Sequence, residues 1–303
     1  MDLTAYRAIE ANRWRSRALA GLNAAVMAFF FALAVWTFGP DAVRPVSSLI
    51  IVFGSAMFGG RDLVLQLLGA RELVAAEEKD FFRRLDAISI GLGLRALPAV
   101  YLAVSPFANA LAIERVGQAG TLVVTNRLLD LDADELDAVL AHELSHLASA
   151  HVGLRSVMAL FRGLVMALAA TRHLWHRIAM AAVLVLALIA LGPAPLVFLL
   201  FVGTYLIAEA RISRQREYLA DAQAVLVTRH PHSLIRALRR MGSVDRFAES
   251  LAPRATSFTA DGERLAASLW IVRPNALAAG WAARLFDAHP SIEDRIRRLE
   301  RMS

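Results

Sequence analysis

Apolar residues in this chain gather into three lipophilic regions, separated by stretches where charged and apolar positions interleave. The first region opens with residues 18–38, uncharged and long enough as a helix to cross a hydrocarbon core of about 30 Å. After Gly39-Pro40 a second run covers residues 46–58 and continues past Arg61 and Asp62 toward Leu68. The third covers residues 153–209 and is broken by Arg155, Arg162, Arg172, Arg177 and the sequence Gly192-Pro193-Ala194-Pro195. Two layouts fit it: one crossing by residues 153–171 and one by residues 178–208, or a hairpin turning at Gly192–Pro195. Either gives an even number of crossings. A cleaved signal peptide is disfavoured for residues 18–38, because a signal h-region is only about 7 to 15 residues long.

Between these regions the pattern is that of a water-exposed domain. Residues 72–87 read as an amphipathic helix, and residues 99–104 and 121–125 as strands, being β-branched or apolar runs bounded by Pro, Gly and Asn. The acidic run Asp132-Ala133-Asp134-Glu135 marks a helix start. Leu136, Val139, Leu140 and Leu147 then form one apolar stripe on a helix of about 20 residues. Further helices are predicted over residues 214–227, 233–241 and 291–302. The expected fold is mainly α with a small β-sheet and about four transmembrane helices. It divides into an anchor (1–68), a first part of a catalytic domain (69–152), a membrane region (153–209) and a second part of that domain (210–303).

Composition supports the membrane reading: 57% of residues are hydrophobic and the mean hydropathy is +0.49, whereas soluble domains hold roughly 45 to 50%. The net charge is +6, and Lys79 is the only lysine among 33 basic residues. The arginines cluster at the ends of the apolar runs, which suits membrane-surface anchoring and not a nucleic-acid stripe. Arg7, Arg13, Arg15 and Arg17 place the N-terminus in the cytoplasm, and two crossings return the chain there by residue 69. With no cysteine, a disulfide framework and a thiolate metal site are both excluded.

The predicted helix after Asp132 carries His142-Glu143-Leu144-Ser145-His146. Residues four apart share a helix face, so both imidazoles can turn to one point and hold a metal ion. With 8 His in the chain, about 0.01 such matches are expected by chance, so the motif needs support elsewhere. His151 lies five residues beyond His146, roughly 140° around the helix, and faces away. Ser149 and Val152 exclude the HExxHxxGxxH pattern. Glu217 is the better third ligand, with Asp221 one turn on to accept a ring N–H from a ligating His. Ordinary i, i+4 pairing of Glu217 and Asp221 with Arg214, Gln215 or Arg216 is the competing account. The even number of crossings between His146 and Glu217 lets the two helices meet.

HExxH, two membrane segments and then Ser213-Arg214-x-Arg216-Glu217-Tyr218-x-Ala220-Asp221 resemble the HtpX family of membrane-anchored zinc metallopeptidases, relatives of the CAAX prenyl endopeptidases. The resemblance extends over nearly the whole chain. It includes Gly69-Ala70-Arg71, Asn109-Ala110-Leu111-Ala112, the helix entry DELDAVLAHELSH and the ending His289-Pro290-x4-Arg295. The chain departs from the pattern at Asp287-Ala288 and by the Arg inside its third lipophilic segment.

The resemblance implies a zincin-like protease domain with one Zn2+ per chain, held by His142, His146 and Glu217 and oriented by Asp221. Glu143 would take the proton of the attacking water and pass it to the leaving amine. His289 would donate to the oxyanion, and Asn109, Ala110, Leu111 and Ala112 would offer a sheet edge to an extended polypeptide. Tyr218 and Arg295 read as packing and salt-bridge residues. The implied role is quality control of misfolded membrane proteins, with a link to stress response, by a multi-pass protein of the inner (plasma) membrane with its catalytic domain in the cytoplasm. The implied partners are polypeptides and the lipid bilayer, with no nucleic acid and no signal for oligomeric state. The resemblance favours two separate spans in residues 153–209, whereas the charges favour the hairpin. A dedicated CAAX-type processing peptidase and an inactive scaffold are the alternatives. Intact Glu143 and ligands oppose the scaffold, and the acidic residues upstream of His142 oppose an intramembrane protease.

Overall fold

The computed structural model describes residues 61–113, 119–148, 194–248, 270–271 and 289–302, with Trp14 and a few positions between 178 and 189. The expected crossings at residues 18–38, 46–58 and 153–171 lie outside the described residues, as does His151. Among the described residues no helix is long and apolar enough to cross a membrane.

Four strands form one sheet: β1 (Arg71–Glu72), β2 (Ala99–Ala103), β3 (Ala110–Ile113) and β4 (Thr121–Thr125), in the order β1-β2-β4-β3. β2 and β4 run parallel, while β1 and β3 are antiparallel edge strands. Besides a helical stretch over residues 61–67 and a 3-10 helix at Asn126–Asp130, the described residues form α1 (Lys79–Gly91), α2 (Ala133–Ala148), α3 (Ala194–Thr228), α4 (Pro231–Ala248) and α5 (Ile292–Leu299). The fold is mainly helical with a small sheet, as the sequence indicates.

The central strand β4 is buried along its whole length and divides two apolar clusters. Leu122 and Val124 enter the larger core with Val100, Leu136, Leu140 and Leu144, while Val123 enters a smaller one with Val64, Leu68, Leu111 and Ile113. This is the period-two alternation of a strand covered on both faces. The helix α2 lies in the larger core against α3 and α4.

The helix expected over residues 72–87 is displaced. Glu72 pairs with Tyr101, the Leu73 N–H bonds the carbonyl of Val100 at 2.9 Å, and Leu73 is buried, so sheet pairing captures this stretch. The helix starts at Lys79 instead. The two strands predicted at 99–104 and 121–125 agree with β2 and β4, and α5 begins at Ile292 with Ser291 as its N-cap, whose oxygen accepts from the Asp294 N–H. The end of the third lipophilic region and the following polar stretch form the single helix α3. Its described part runs from Ala194 to Thr228.

Candidate active site

The motif helix α2 is amphipathic in an unusual sense, because its polar motif residues are also buried. His142 and Ser145 are fully inaccessible, and Glu143 and His146 nearly so. Burial of polar side chains on one helix requires partners: the Ser145 hydroxyl donates to the His142 carbonyl at 2.6 Å, and α3 supplies carboxylates to the two histidines. It crosses α2 with Glu217 and Asp221 on the contact face, both buried.

The three expected ligands converge. One ligand atom each from His142, His146 and Glu217 lies within 4.8 Å of the others. The Glu217 Oε2 is 3.4 Å from His142 Nε2, and its Oε1 is 3.5 Å from His146 Nε2. The rings of the two histidines stand nearly perpendicular, at 88°, with centroids 4.9 Å apart. Donor atoms about 2.0 to 2.1 Å from a tetrahedral zinc ion would be about 3.3 Å from one another, and the two N···O separations agree with that. Among the described residues buried His142 Nε2 has no hydrogen-bond partner, so its lone pair is available to a metal. Two imidazoles and a carboxylate are also a donor set zinc accepts. The residues present fit the ion.

Asp221 stands where the sequence places it. Its Oδ1 accepts from His142 Nδ1 at 2.9 Å, which puts the ring proton on Nδ1 and turns Nε2 toward Glu217. Arg295, fully buried on α5, grips the same carboxylate with both arms: Nε to Oδ2 at 3.0 Å and Nη2 to Oδ1 at 2.6 Å. Its Nη2 also approaches His142 Nδ1 to 3.3 Å and its Nη1 approaches Glu217 Oε2 to 3.9 Å. Arg295 is a salt-bridge residue, as expected, but its bridge lies at the centre of the site, which the helical pattern does not indicate. The His-Pro-x4-Arg ending was the available signal.

The charges follow from this packing. Burial pushes the Glu217 carboxyl up, but the neighbouring His289, His146 and His142 rings outweigh it and hold Glu217 well below the usual carboxylate range. Burial also pushes Asp221 up, and the Arg295 charge with the His142 hydrogen bond brings it below its ordinary value. Burial acts downward on Arg295, yet Asp221 raises it above the usual arginine value. Both carboxylates are therefore ionised at neutral pH, the state in which a carboxylate can take a metal or accept from an imidazole.

The other expected residues fall as follows. His289, buried just before the cap of α5, brings Nδ1 to 3.5 Å from Glu217 Oε2. Asn109 and β3 lie at the sheet edge, and β3 packs against α2. Tyr218 turns away from the ligands, with Arg298 3.6 Å above its ring centroid, so it packs α3 against α5.

Two substitutions separate the supporting roles. Asp221→Asn is expected to weaken zinc affinity roughly 10- to 100-fold while leaving the ligands in place, measured by competition with a chromogenic chelator. Arg295→Met would leave Asp221 buried beside Glu217 without its counter-charge, at a cost of about 3 to 5 kcal/mol in urea unfolding. A loss under 1 kcal/mol would show that solvent reaches the pair.

A sheet with an antiparallel edge strand, a buried HExxH helix packed against it and a His–His–Glu cluster together define a metalloprotease. The chain belongs to peptidase family M48, whose pattern matches residues 75–303. It is 32% identical to a Protease HtpX homolog of Dictyoglomus thermophilum over 99% of this chain and 95% of that protein. A Protease HtpX homolog of Tropheryma whipplei is 30% identical over 93% of this chain and 95% of its own length. In fold the chain is similar to the crystal structure of S. mikatae Ste24p, with a TM-score of 0.51 and 16% identity, covering 97% of this chain and 67% of that one. The resemblance read from the motifs therefore holds.

Proposed function

We propose that this metalloprotease is a zinc-dependent endopeptidase of the inner membrane. In this reading it is anchored by residues 1–68 and 153–209 and degrades misfolded membrane proteins on the cytoplasmic side. The observation that carries the reading is the convergence of His142, His146 and Glu217 next to a buried Glu143. The apolar runs support the anchoring, and the arginines at residues 7–17 support the orientation.

His142, His146 and Glu217 would hold one zinc ion, which supplies a Lewis acid and lowers the pKa of a bound water to about 7. Glu143 accepts the proton of the attacking water and delivers it to the departing amine. Asp221 and Arg295 keep His142 in the tautomer that leaves Nε2 as a ligand atom. His289 donates to the oxygen of the attacked carbonyl. The substrate lies extended along β3, whose backbone pairing reads little sequence, as breakdown of varied unfolded chains requires.

The full-length protein in detergent should digest unfolded casein, lose that activity to a chelator and regain it with zinc. Many scattered cuts support degradation, whereas a single sharp cut would replace this reading with a dedicated processing peptidase. Topology is tested with cysteines introduced at Ala148, Thr171 and Ala194, in a chain that has none, using a membrane-impermeant maleimide on intact cells. Labelling at Ala148 would overturn the cytoplasmic active site, and labelling at Ala194 alone identifies the hairpin.

A further inference from the structure

The edge strand β3 is closed at one end by two residues far away in the chain. Asn109 turns its backbone toward β4, with its carbonyl accepting the Thr125 N–H at 3.0 Å, so the backbone groups of Ala110 face outward from the sheet. Both are taken. The Ala110 N–H donates to Asn109 Oδ1 at 3.1 Å, and the Ala110 carbonyl accepts the Ile271 N–H at 3.0 Å. By the alternation of an antiparallel ladder, Ala112 is the next residue on β3 to turn its groups outward.

Trp270 and Ile271 are firmly seated. The Trp270 side chain is buried in the smaller core with Leu111, Ile113 and Val123, while the Ile271 side chain enters the larger core. Successive side chains on opposite faces of the sheet are what an added strand residue pair would show. The Ile271 carbonyl accepts from Arg295 Nη1 at 3.0 Å, and Arg295 holds the Asp221 that orients His142. One residue thus ties the sheet edge, through its N–H, to the ligand-orienting network, through its carbonyl.

We propose that Trp270 and Ile271 form a stop on the substrate edge: a polypeptide pairs with β3 through Ala112 and not through Ala110, and the stop sets which substrate bond faces the metal ligands. This rests on the reading of β3 as the substrate edge. The stop is a specificity-determining element and takes no part in the chemistry. Its tie to Arg295 keeps the pairing register fixed relative to His142.

The test is a map of cut bonds in unfolded casein by mass spectrometry for the full-length wild type, Trp270→Ala and Trp270→Phe, with zinc content measured alongside. Trp270→Phe keeps the anchor and should cut at the wild-type bonds. Trp270→Ala releases the stop, so cut positions should shift. The KM of peptides long enough to reach Ala110 should then fall about fivefold relative to shorter ones, the worth of roughly one added hydrogen bond. A folded, zinc-loaded Trp270→Ala with unchanged cut bonds and an unchanged ratio of long- to short-peptide KM would overturn the stop. Should Trp270→Ala fail to fold, Trp270→Leu, with a smaller apolar anchor, and Ile271→Pro, without the N–H donor, are read by the same two measures. Absence of casein cuts by the wild type refutes the endopeptidase reading itself, and the stop falls with it; wild-type cutting with an unmoved variant map refutes the stop alone.

Discussion

Glu143→Gln is expected to lower peptide hydrolysis by a factor on the order of 10² to 10⁴ while metal content stays at the wild-type level. Glutamine keeps the volume and one acceptor oxygen of the buried Glu143 but cannot take up a proton, so the substitution removes the acid–base step and little else. The ligand atoms belong to His142, His146 and Glu217, and Glu143 is not one of the three. His142 is held by Asp221, which Arg295 grips in turn, and Glu217 is approached by His289. Casein hydrolysis and zinc per chain, measured on the same preparation, decide the matter. Near-normal hydrolysis at full zinc occupancy would remove Glu143 from the role of base and leave the water to be activated by the metal alone.

The parts of this site that were legible in the sequence are those governed by helical spacing. His142 and His146 share a face because 3.6 residues make a turn, and Glu217 and Asp221 share one for the same reason. Strands β2 and β4 were legible because their β-branched and apolar runs end at proline, glycine or asparagine. What failed was the register of the first helix: Arg71–Leu73 is captured by pairing with β2, a long-range contact that local periodicity does not carry. Arg295 shows the same limit from the other side. It is 153 positions from His142, and nothing in the Ser291–Met302 pattern distinguishes a buried arginine from the exposed ones around it. Trp270 and Ile271 carried no motif at all. Their importance comes from where the chain lays them, on the outward groups of Ala110.

Glu217→Ala should abolish tight zinc binding. The change removes one of three donors and also the carboxylate against which both histidine Nε2 atoms are set, at 3.4 and 3.5 Å. Asp221 cannot replace it, because its oxygens are committed to Arg295 and to His142 Nδ1. The loss can be read independently of catalysis, through stability. A ligand that binds only the folded state stabilises it by about 2.7 kcal/mol at a hundredfold excess over its Kd, so chelation should lower the Tm of the wild type. In Glu217→Ala the same chelator should leave Tm unmoved, since there is no bound metal to withdraw. Glu217→Gln divides charge from shape, because the amide retains an oxygen for the metal but loses the negative charge that His289, His146 and His142 stabilise, so it should bind zinc more weakly than wild type and more tightly than Glu217→Ala. One zinc retained per Glu217→Ala chain after gel filtration in chelator would refute the assignment and direct the search for the third ligand to Glu209, buried two turns earlier on α3.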